Sequence, residues 1–172
     1  ILAGMERLGD RLHKEHELEF YYTLACVHFG GGEMNKALFW LNKVLNDPEP
    51  TLRQDLFIYA RLFNLLIHYE LGNFDLLEYI VRSTHRFLNK RHRAHEVETL
   101  LMESIKKMAR AQQPALKREH TLSLKNGLEE LMKDPNASTV LKYFDFVSWA
   151  ESQVEGVSFA EVVRGKLRKA AK

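Results

Sequence analysis

Two pairs of histidines are the residues whose type and spacing most directly suggest chemistry, because imidazole is a common metal ligand. His13 and His16 lie three residues apart, as do His92 and His95, and a glutamate follows each pair. Neither pair has the spacing of the His-Glu-x-x-His motif of zinc peptidases, and neither brings a third or fourth ligand with it. The sequence therefore predicts exposed histidines, and neither a metal nor any other cofactor.

Covalent catalysis has no better support in the sequence. Cys26 is the single cysteine, and it lies among apolar residues in the middle of a predicted helix, which is the setting of an inert packed thiol. The run Gly30-Gly31-Gly32 lacks the lysine and the preceding strand of a phosphate-binding loop. The sequence contains no Gly-x-Ser-x-Gly motif and no dinucleotide-binding fingerprint. We therefore predict that the protein is not an enzyme.

The composition is that of an ordinary globular chain. Of its 172 residues 45% are hydrophobic, and the formal net charge of +2 is too small to indicate a nucleic-acid-binding surface. No apolar run approaches the ~20 residues that span a bilayer, and no signal-peptide pattern is found. Together with the single cysteine, these features predict a cytoplasmic protein with no membrane contact. Because Ile1 lies within a helical pattern, we expect the chain to be part of a longer protein.

Helical periodicity, interrupted by breaking residues, predicts an all-α protein. Glycine and proline clusters around residues 30–32, 47–50, 72–73 and 134–136 divide the chain. The predicted helices cover about residues 2–13, 15–29, 34–46, 52–71, 74–90, 94–111, 114–133 and 138–155, with a last helix after residue 158. Helix starts are indicated by two capping boxes and a proline: Thr51 with Gln54, Ser158 with Glu161, and Pro114. Asn73 is a suitable N-cap, and Gly156 is expected to end a helix.

A pattern that recurs after 40 residues is the most informative feature of the sequence. Residues 28–37 and 68–77 both read His-aromatic-x-x-Gly-x-apolar-x-x-apolar. Each copy lies where one predicted helix ends and the next begins, so we expect the same chain reversal twice. The small residues Ala25 and Ala37 let the two helices of the first pair approach closely.

The first unit resembles a tetratricopeptide repeat. The resemblance is carried by Tyr21, Leu24, Ala25, His28, Gly32, Met34, Ala37, Leu41, Val44 and Pro48. The second unit keeps the family's positions at Gly72, Phe74, Leu77 and Val81. It departs from the family at Arg61 and Asn64, which replace large apolar residues. Residues 143–150 further resemble the carboxy-terminal part of large, uncharacterised bacterial repeat proteins.

The resemblance implies an all-α fold of stacked antiparallel helical hairpins, forming a right-handed superhelix (an α-α solenoid) with C-terminal capping helices. We expect a single domain over residues 1–172. Within it we expect a remnant of a preceding repeat at 1–14, repeats at 15–50 and 51–91, a degenerate helix pair at 92–134 and the capping helices at 135–172. Stability would come from stacking, because each hairpin exposes an apolar flank that a neighbour must cover.

Proteins of this kind usually bind ligands on the inner face of each first helix. By the register above, that face carries Cys26 and Leu66 together with the candidate partner-binding groove: Tyr22, Phe29, Tyr59, Phe63 and Tyr69. Aromatic residues there would anchor an extended or helical peptide. The alternative is that these residues belong to the core, because apolar positions of a helix are usually buried.

Three polar residues, Arg61, Asn64 and His68, form a stripe on a predicted helix that is otherwise apolar almost all round. A buried hydrogen-bonded network between repeats would explain the stripe, with Glu78 or Asp75 as the acid facing the arginine. Alternatively, the stripe faces the groove and receives a carboxylate or phosphate from a partner.

A basic stretch without acids occupies the middle of the chain. It consists of Arg82, His85, Arg86, Lys90, Arg91, His92, Arg93 and His95, with Lys106, Lys107 and Arg110 further along. Cations near a helix C-terminus offset the helix dipole, so a solvated face explains them. A docking patch for an anion or nucleic acid is the alternative, although the aromatic interleaving of single-strand binders is missing.

These features predict a non-catalytic interaction or scaffold module that binds a protein or peptide segment on a helical-repeat surface. The alternative is a regulatory C-terminal domain that senses a ligand or peptide for a larger signalling or transcription protein. Nucleic acid is the less favoured partner. The incomplete helix pair at the N-terminal end also leaves self-association open.

Overall fold

The structure is a computed structural model that describes residues 13–90, 96–133 and 143–171. This part of the chain forms eight helices. Within these ranges all regular secondary structure is helical, and the all-α prediction is confirmed. The helices are α1 Lys14–Gly30, α2 Met34–Leu45, α3 Gln54–Glu70, α4 Phe74–Asn89, α5 Glu96–Arg110, α6 Pro114–Leu131, α7 Phe146–Glu155 and α8 Phe159–Ala170. None of them combines the length and the apolarity needed to cross a membrane. The predicted helix at 2–13, and with it the surface for self-association, lies outside the described residues.

The chain reverses in the same way at Gly32 and Gly72. Their φ angles are 76° and 71°, in the left-handed region that favours glycine. In both turns the glycine N–H donates to the carbonyl three residues back, at 2.9 and 3.0 Å, and the next N–H donates to the carbonyl five residues back, at 2.8 and 3.0 Å. This is the hydrogen-bonding pattern of a helix that ends in a left-handed glycine. The 40-residue sequence pattern therefore has a matching backbone geometry.

Helix α3 lies at the centre of the fold. It packs against α1, α2, α4 and α5, and 12 of its 17 residues are buried. Such burial follows from a sequence that is apolar on every side, since a helix of that kind has no face suited to water. Helix α4 is amphipathic by contrast, and it leaves Phe74, Leu76 and Tyr79 exposed. Further along the chain, α5 packs on α6, α6 on α7, and α7 on α8.

The start of α3 differs from the prediction. The helix begins at Gln54, residue Arg53 holds the N-cap position without a side-chain cap, and the capping box predicted at Thr51 is wrong. Residues 51–53 form a turn instead. The guanidinium of Arg53 donates to Asp55 at 3.1 Å and pairs with Glu19 of α1. The polar groups at this helix start are thus engaged in ion pairs that a local capping pattern does not reveal.

Other predicted helix boundaries are confirmed. The capping box at Ser158 forms, because its hydroxyl accepts from the N–H of Glu161 while that carboxylate accepts from the N–H of Ser158. Pro114 occupies the first turn of α6. Gly156 ends α7 with a left-handed φ of 69°. Asn73 holds the N-cap position of α4, although its side chain makes no cap hydrogen bond.

The helix predicted over 138–155 begins later than expected. Residues 143–145 are not helical, and α7 starts at Phe146 after Asp145, whose carboxylate accepts from the N–H of Ser148 at 2.8 Å. Tyr143 and Phe144 therefore precede the helix. Residues 138–142 lie outside the described ranges.

Candidate functional site

The five aromatic residues of the candidate groove come together in the structure, and we call them the aromatic face. Tyr22 and Phe29 lie on α1, and Tyr59, Phe63 and Tyr69 lie on α3. All five are buried, with exposed fractions from 0% to 8%. Leu66 is also fully buried. The aromatic face is therefore covered from solvent.

The chain's own residues 143–146 cover the aromatic face. The ring of Tyr143 stacks on that of Tyr59 with centroids 4.0 Å apart. The ring of Phe144 lies 4.5 Å from that of Phe63 and 5.2 Å from that of Phe29. Contacts at these distances are those of aromatic pairs in a protein core. The aromatic residues of α1 and α3 are thus covered by residues of the same chain.

Glu70 attaches helix α7 to the end of α3. A single carboxylate oxygen, Oε1, accepts from Trp149 Nε1 at 2.6 Å and from Gln153 Nε2 at 2.8 Å. Burial raises the pKa of Glu70, while the hydrogen bond from the indole acts against that rise. The neighbouring ring of Tyr69 meets Trp149 edge-on at 5.7 Å. This cluster holds the C-terminal helices against the central one.

Asp55 attaches Tyr143, in the segment that precedes α7, to the start of α3. Tyr143 donates its hydroxyl to Asp55, and Arg53 donates to the same carboxylate. Burial alone would raise the pKa of Asp55, but these hydrogen bonds lower it to about 2. The carboxylate therefore stays charged at physiological pH and keeps both contacts.

Cys26 has no sign of nucleophilic activation. Its thiol donates weakly to the backbone carbonyl of Tyr143 at 3.9 Å. Burial raises the pKa of the thiol to about 12, so the thiolate is scarce at neutral pH. Cys26 packs beside the aromatic face, where its environment favours the neutral thiol.

The three residues of the polar stripe have separate surroundings. The guanidinium of Arg61 lies over the ring of Phe87 at 4.2 Å from the centroid. His68 Nδ1 lies 3.1 Å from Asn73 Nδ2, and burial lowers the pKa of His68. Asn64 Oδ1 is buried and has no hydrogen-bond partner among the described residues. Arg61 thus contacts an aromatic ring, and His68 contacts the N-cap residue of α4.

Of the two acids predicted to face Arg61, Asp75 and Glu78, the second forms an ion pair with Arg110. Glu78 accepts a hydrogen bond from Arg110 at 2.8 Å, which joins α4 to α5 on the surface. That bond, with Arg82 and Lys106 nearby, lowers the pKa of Glu78.

The histidine pairs do not form a metal-binding cluster in the described ranges. The rings of His13 and His16 lie 6.3 Å apart, and His16 Nδ1 is 3.3 Å from Glu19 Oε2. Among the residues that the structure describes, no three His, Cys, Asp or Glu side chains are grouped to share a metal ion. His92 and His95 lie outside the described residues.

A cleft of about 610 Å³ opens between α4 and α5, and we call it the cationic cleft. It is lined by Tyr79, Val81, Arg82, His85 and Arg86 of α4 and by Thr99, Met102, Glu103 and Lys106 of α5. Its volume lies within the range of small-molecule and peptide-anchor sites. Part of the predicted basic stretch lies here, while residues 91–95 are outside the described ranges.

The cationic cleft combines charge with an apolar floor. Val81 and Met102 are buried, with exposed fractions of 6% and 1%, and they contribute apolar surface. Arg82, Arg86 and Lys106 take part in no salt bridge within the described part of the chain. Cations that form no salt bridge with the described residues and adjoin apolar surface suit a ligand that is both anionic and apolar.

Sequence reasoning found the cations of this cleft but not its other lining residues. Tyr79 is 58% exposed and lies three and seven residues before Arg82 and Arg86, hence on the same side of α4. That spacing could have placed Tyr79 beside the two arginines from the sequence. No spacing predicts that Met102 lines the same cleft, because its position depends on how α5 packs on α4.

Comparison with protein-family models, with curated proteins and with solved structures found no match to this chain.

Proposed function

We propose that this chain is a non-catalytic protein-interaction module that binds a segment of another protein. The cationic cleft is the observation that carries the proposal. It presents Arg82, Arg86 and Lys106 beside the buried surface of Val81 and Met102, and it is open to solvent. Cations beside apolar surface suit the recognition of a segment that is both anionic and apolar.

A tetratricopeptide-like architecture is part of the proposal. The matching reversals at Gly32 and Gly72, the pairing of α1 with α2 and α3 with α4, and the close packing of successive helices support it. In this scheme the hairpins stack into a right-handed superhelix, and α7 and α8 cap its end. Modules of this architecture present an extended surface that suits binding of protein segments.

The aromatic face is the second surface at which a partner could bind, but only after a rearrangement. A peptide there would have to displace Tyr143 and Phe144, which pack on Tyr59 and Phe63. Displacement would expose two large aromatic side chains and break the hydrogen bond from Tyr143 to Asp55. Binding at the cationic cleft has no such cost, so we assign the partner to the cleft.

Site-specific photo-crosslinking would test the proposal. A photoreactive phenylalanine replaces either Tyr79 at the cationic cleft or Leu122 on α6, which are 58% and 45% exposed. The full chain is irradiated in extract of its own source cells, and adducts are identified by mass spectrometry. We expect one protein to be captured from the Tyr79 position, saturably and with competition by unmodified chain, and not from the Leu122 position. Identical adducts from both positions would contradict the proposal.

A further inference from the structure

We propose that the partner segment bound at the cationic cleft is a short acidic peptide with an apolar side chain between its carboxylates. This inference rests on the proposed function, and it adds the chemical class of the ligand. The walls of the cleft, formed by Arg82 and Arg86 on α4 and by Lys106 on α5, provide the charge. Its buried floor provides the apolar contact.

The charge of the cationic cleft favours an acidic ligand. Its lining contains Arg82, Arg86 and Lys106 against one carboxylate, Glu103, which leaves +2 when His85 is neutral. The whole chain of 172 residues also has a formal net charge of +2. The excess positive charge of the cleft lining thus equals that of the entire chain. An acidic segment is therefore attracted to the cationic cleft.

The arrangement of the cations favours carboxylates on both sides of a central side chain. Arg82 and Arg86 lie four residues apart on α4, about one helical turn or ~6 Å along the axis. Lys106 faces them from α5. Arginine binds a carboxylate through two parallel N–H donors, and lysine offers a single point of charge. A peptide crossing the cleft would therefore place one carboxylate near each wall.

The floor of the cationic cleft favours an apolar side chain between those carboxylates. Val81 and Met102 form this floor, and a thioether side chain adapts to ligands of varied shape. Tyr79 stands at the rim with 58% of its surface exposed and is available to cover a bound side chain. The volume of about 610 Å³ holds an anchor and its neighbours rather than a whole domain.

Nucleic acid fits the cleft less well. Binding of single strands uses successive aromatic rings on which bases stack, and Tyr79 is the one aromatic residue in the lining. Two buried apolar side chains at the floor also give phosphates no partner. The same cations therefore favour a peptide.

Fluorescence anisotropy with the full chain tests this inference. The probe is a labelled dodecapeptide with acidic residues on both sides of a single leucine. The comparison probes are the same peptide with glutamine and asparagine in place of its acids, the acidic peptide with serine in place of leucine, and a labelled oligothymidylate. We expect the acidic leucine peptide to bind tightest, and its affinity to fall as salt is raised.

Charge reversals locate the binding site. Arg82→Glu and Lys106→Glu change one wall each, and we expect each to weaken binding of the acidic peptide about tenfold. Arg118→Glu on α6 is the matched control, because Arg118 is exposed and its replacement changes the net charge by the same amount. We expect that variant to bind within about twofold of the parent. Tyr79→Ala should weaken the leucine peptide and leave the serine peptide unchanged.

Each result bears on a separate claim. Equal weakening by Arg118→Glu and Arg82→Glu would show general charge attraction, and tighter binding of the oligothymidylate would show a nucleic-acid site. Both outcomes overturn the inference. A specific crosslink at Tyr79 without binding of the acidic peptide would leave the interaction module intact and refute the ligand class. Thermal unfolding of every variant checks that the fold is retained; Tyr79, Arg82 and Arg118 are exposed, and Lys106 is half-buried.

Discussion

Asn73 Nδ2 lies 3.1 Å from His68 Nδ1, so the amide donates to the imidazole across the reversal at Gly72. His28 has the same relation to Glu33 forty residues earlier, with Nδ1 2.6 Å from the carboxylate. In that earlier pair the imidazole must donate, since a carboxylate only accepts. The same side-chain contact thus recurs in the sequence pattern with donor and acceptor exchanged.

The stability of the fold should depend on pH through His68. Burial lowers the pKa of His68 in the folded chain below the ~6.5 of an unfolded one, so the unfolded chain binds the proton more readily. The contribution of His68 to the free energy of unfolding is therefore complete at pH values above the pKa of the unfolded chain. It falls as the pH drops below that pKa. Urea unfolding between about pH 7.5 and pH 5 measures this. We expect His68→Gln to lose less stability over that range than the parent.

The control for this pH experiment is His120→Gln on α6, which removes one histidine and leaves the contact between His68 and Asn73 in place. Its loss of stability with falling pH should exceed that of His68→Gln. Equal slopes for the parent and His68→Gln would refute the assignment.

Truncating the aromatic face should destabilise the fold strongly. Phe63 is fully buried and contacts Phe29 and Phe144, so Phe63→Ala leaves a cavity between α1, α3 and Phe144. We expect a loss of about 3–5 kcal/mol in the free energy of unfolding. Tyr79→Ala, at an exposed aromatic residue, should change it by less than about 0.5 kcal/mol. Denaturant unfolding measures both, and a small effect of Phe63→Ala would indicate that this face is open in solution.

Removing the carboxylate of Glu70 should loosen the C-terminal helices. Glu70→Ala leaves the buried indole N–H of Trp149 without its acceptor, which costs about 1–3 kcal/mol. In a Trp40→Phe background the fluorescence reports on Trp149 alone, and we expect its emission to shift to the red. Glu130→Ala removes only a surface pair with Lys133 and should leave both the stability and the emission unchanged. An unshifted spectrum for Glu70→Ala would show that packing, not this hydrogen bond, holds the indole.

Alanine should have opposite effects at two glycines. A Cβ would meet no atom within 4 Å at either Gly72 or Gly165, so backbone conformation decides the outcome. Gly72 has a φ of 71°, where alanine costs roughly 1–2 kcal/mol. Gly165 lies within α8, where alanine should stabilise the helix by about 0.5–1 kcal/mol. Melting temperatures should therefore fall for Gly72→Ala and rise for Gly165→Ala; two shifts of the same sign would refute this explanation.

Features that depend on neighbouring residues could be predicted from the sequence. Periodicity predicted the helices, Pro114 and the Ser158 capping box predicted where two of them begin, and the glycines at 32 and 72 predicted the two matching reversals. These features follow from backbone preferences and hydrogen bonds within about one turn of helix. The one capping box that failed, at Thr51, lies where ion pairs of Arg53 with Glu19 and Asp55 surround the helix start.

Which residues cover each apolar side depends on tertiary packing and could not be predicted from the sequence. Periodicity showed that α1 and α3 carry aromatic residues on one side, but not that Tyr143 and Phe144 would lie on them. The hydrogen bond from Tyr143 to Asp55 spans 88 residues of chain, and no local pattern specifies such a contact. The cationic cleft has the same origin, since Met102 meets Val81 through the packing of α5 on α4. Which apolar side chains become buried depends on the helix or segment that packs on them, and it can come from any part of the chain. The reason is that the hydrophobic effect is non-directional and proportional to the apolar area removed from water.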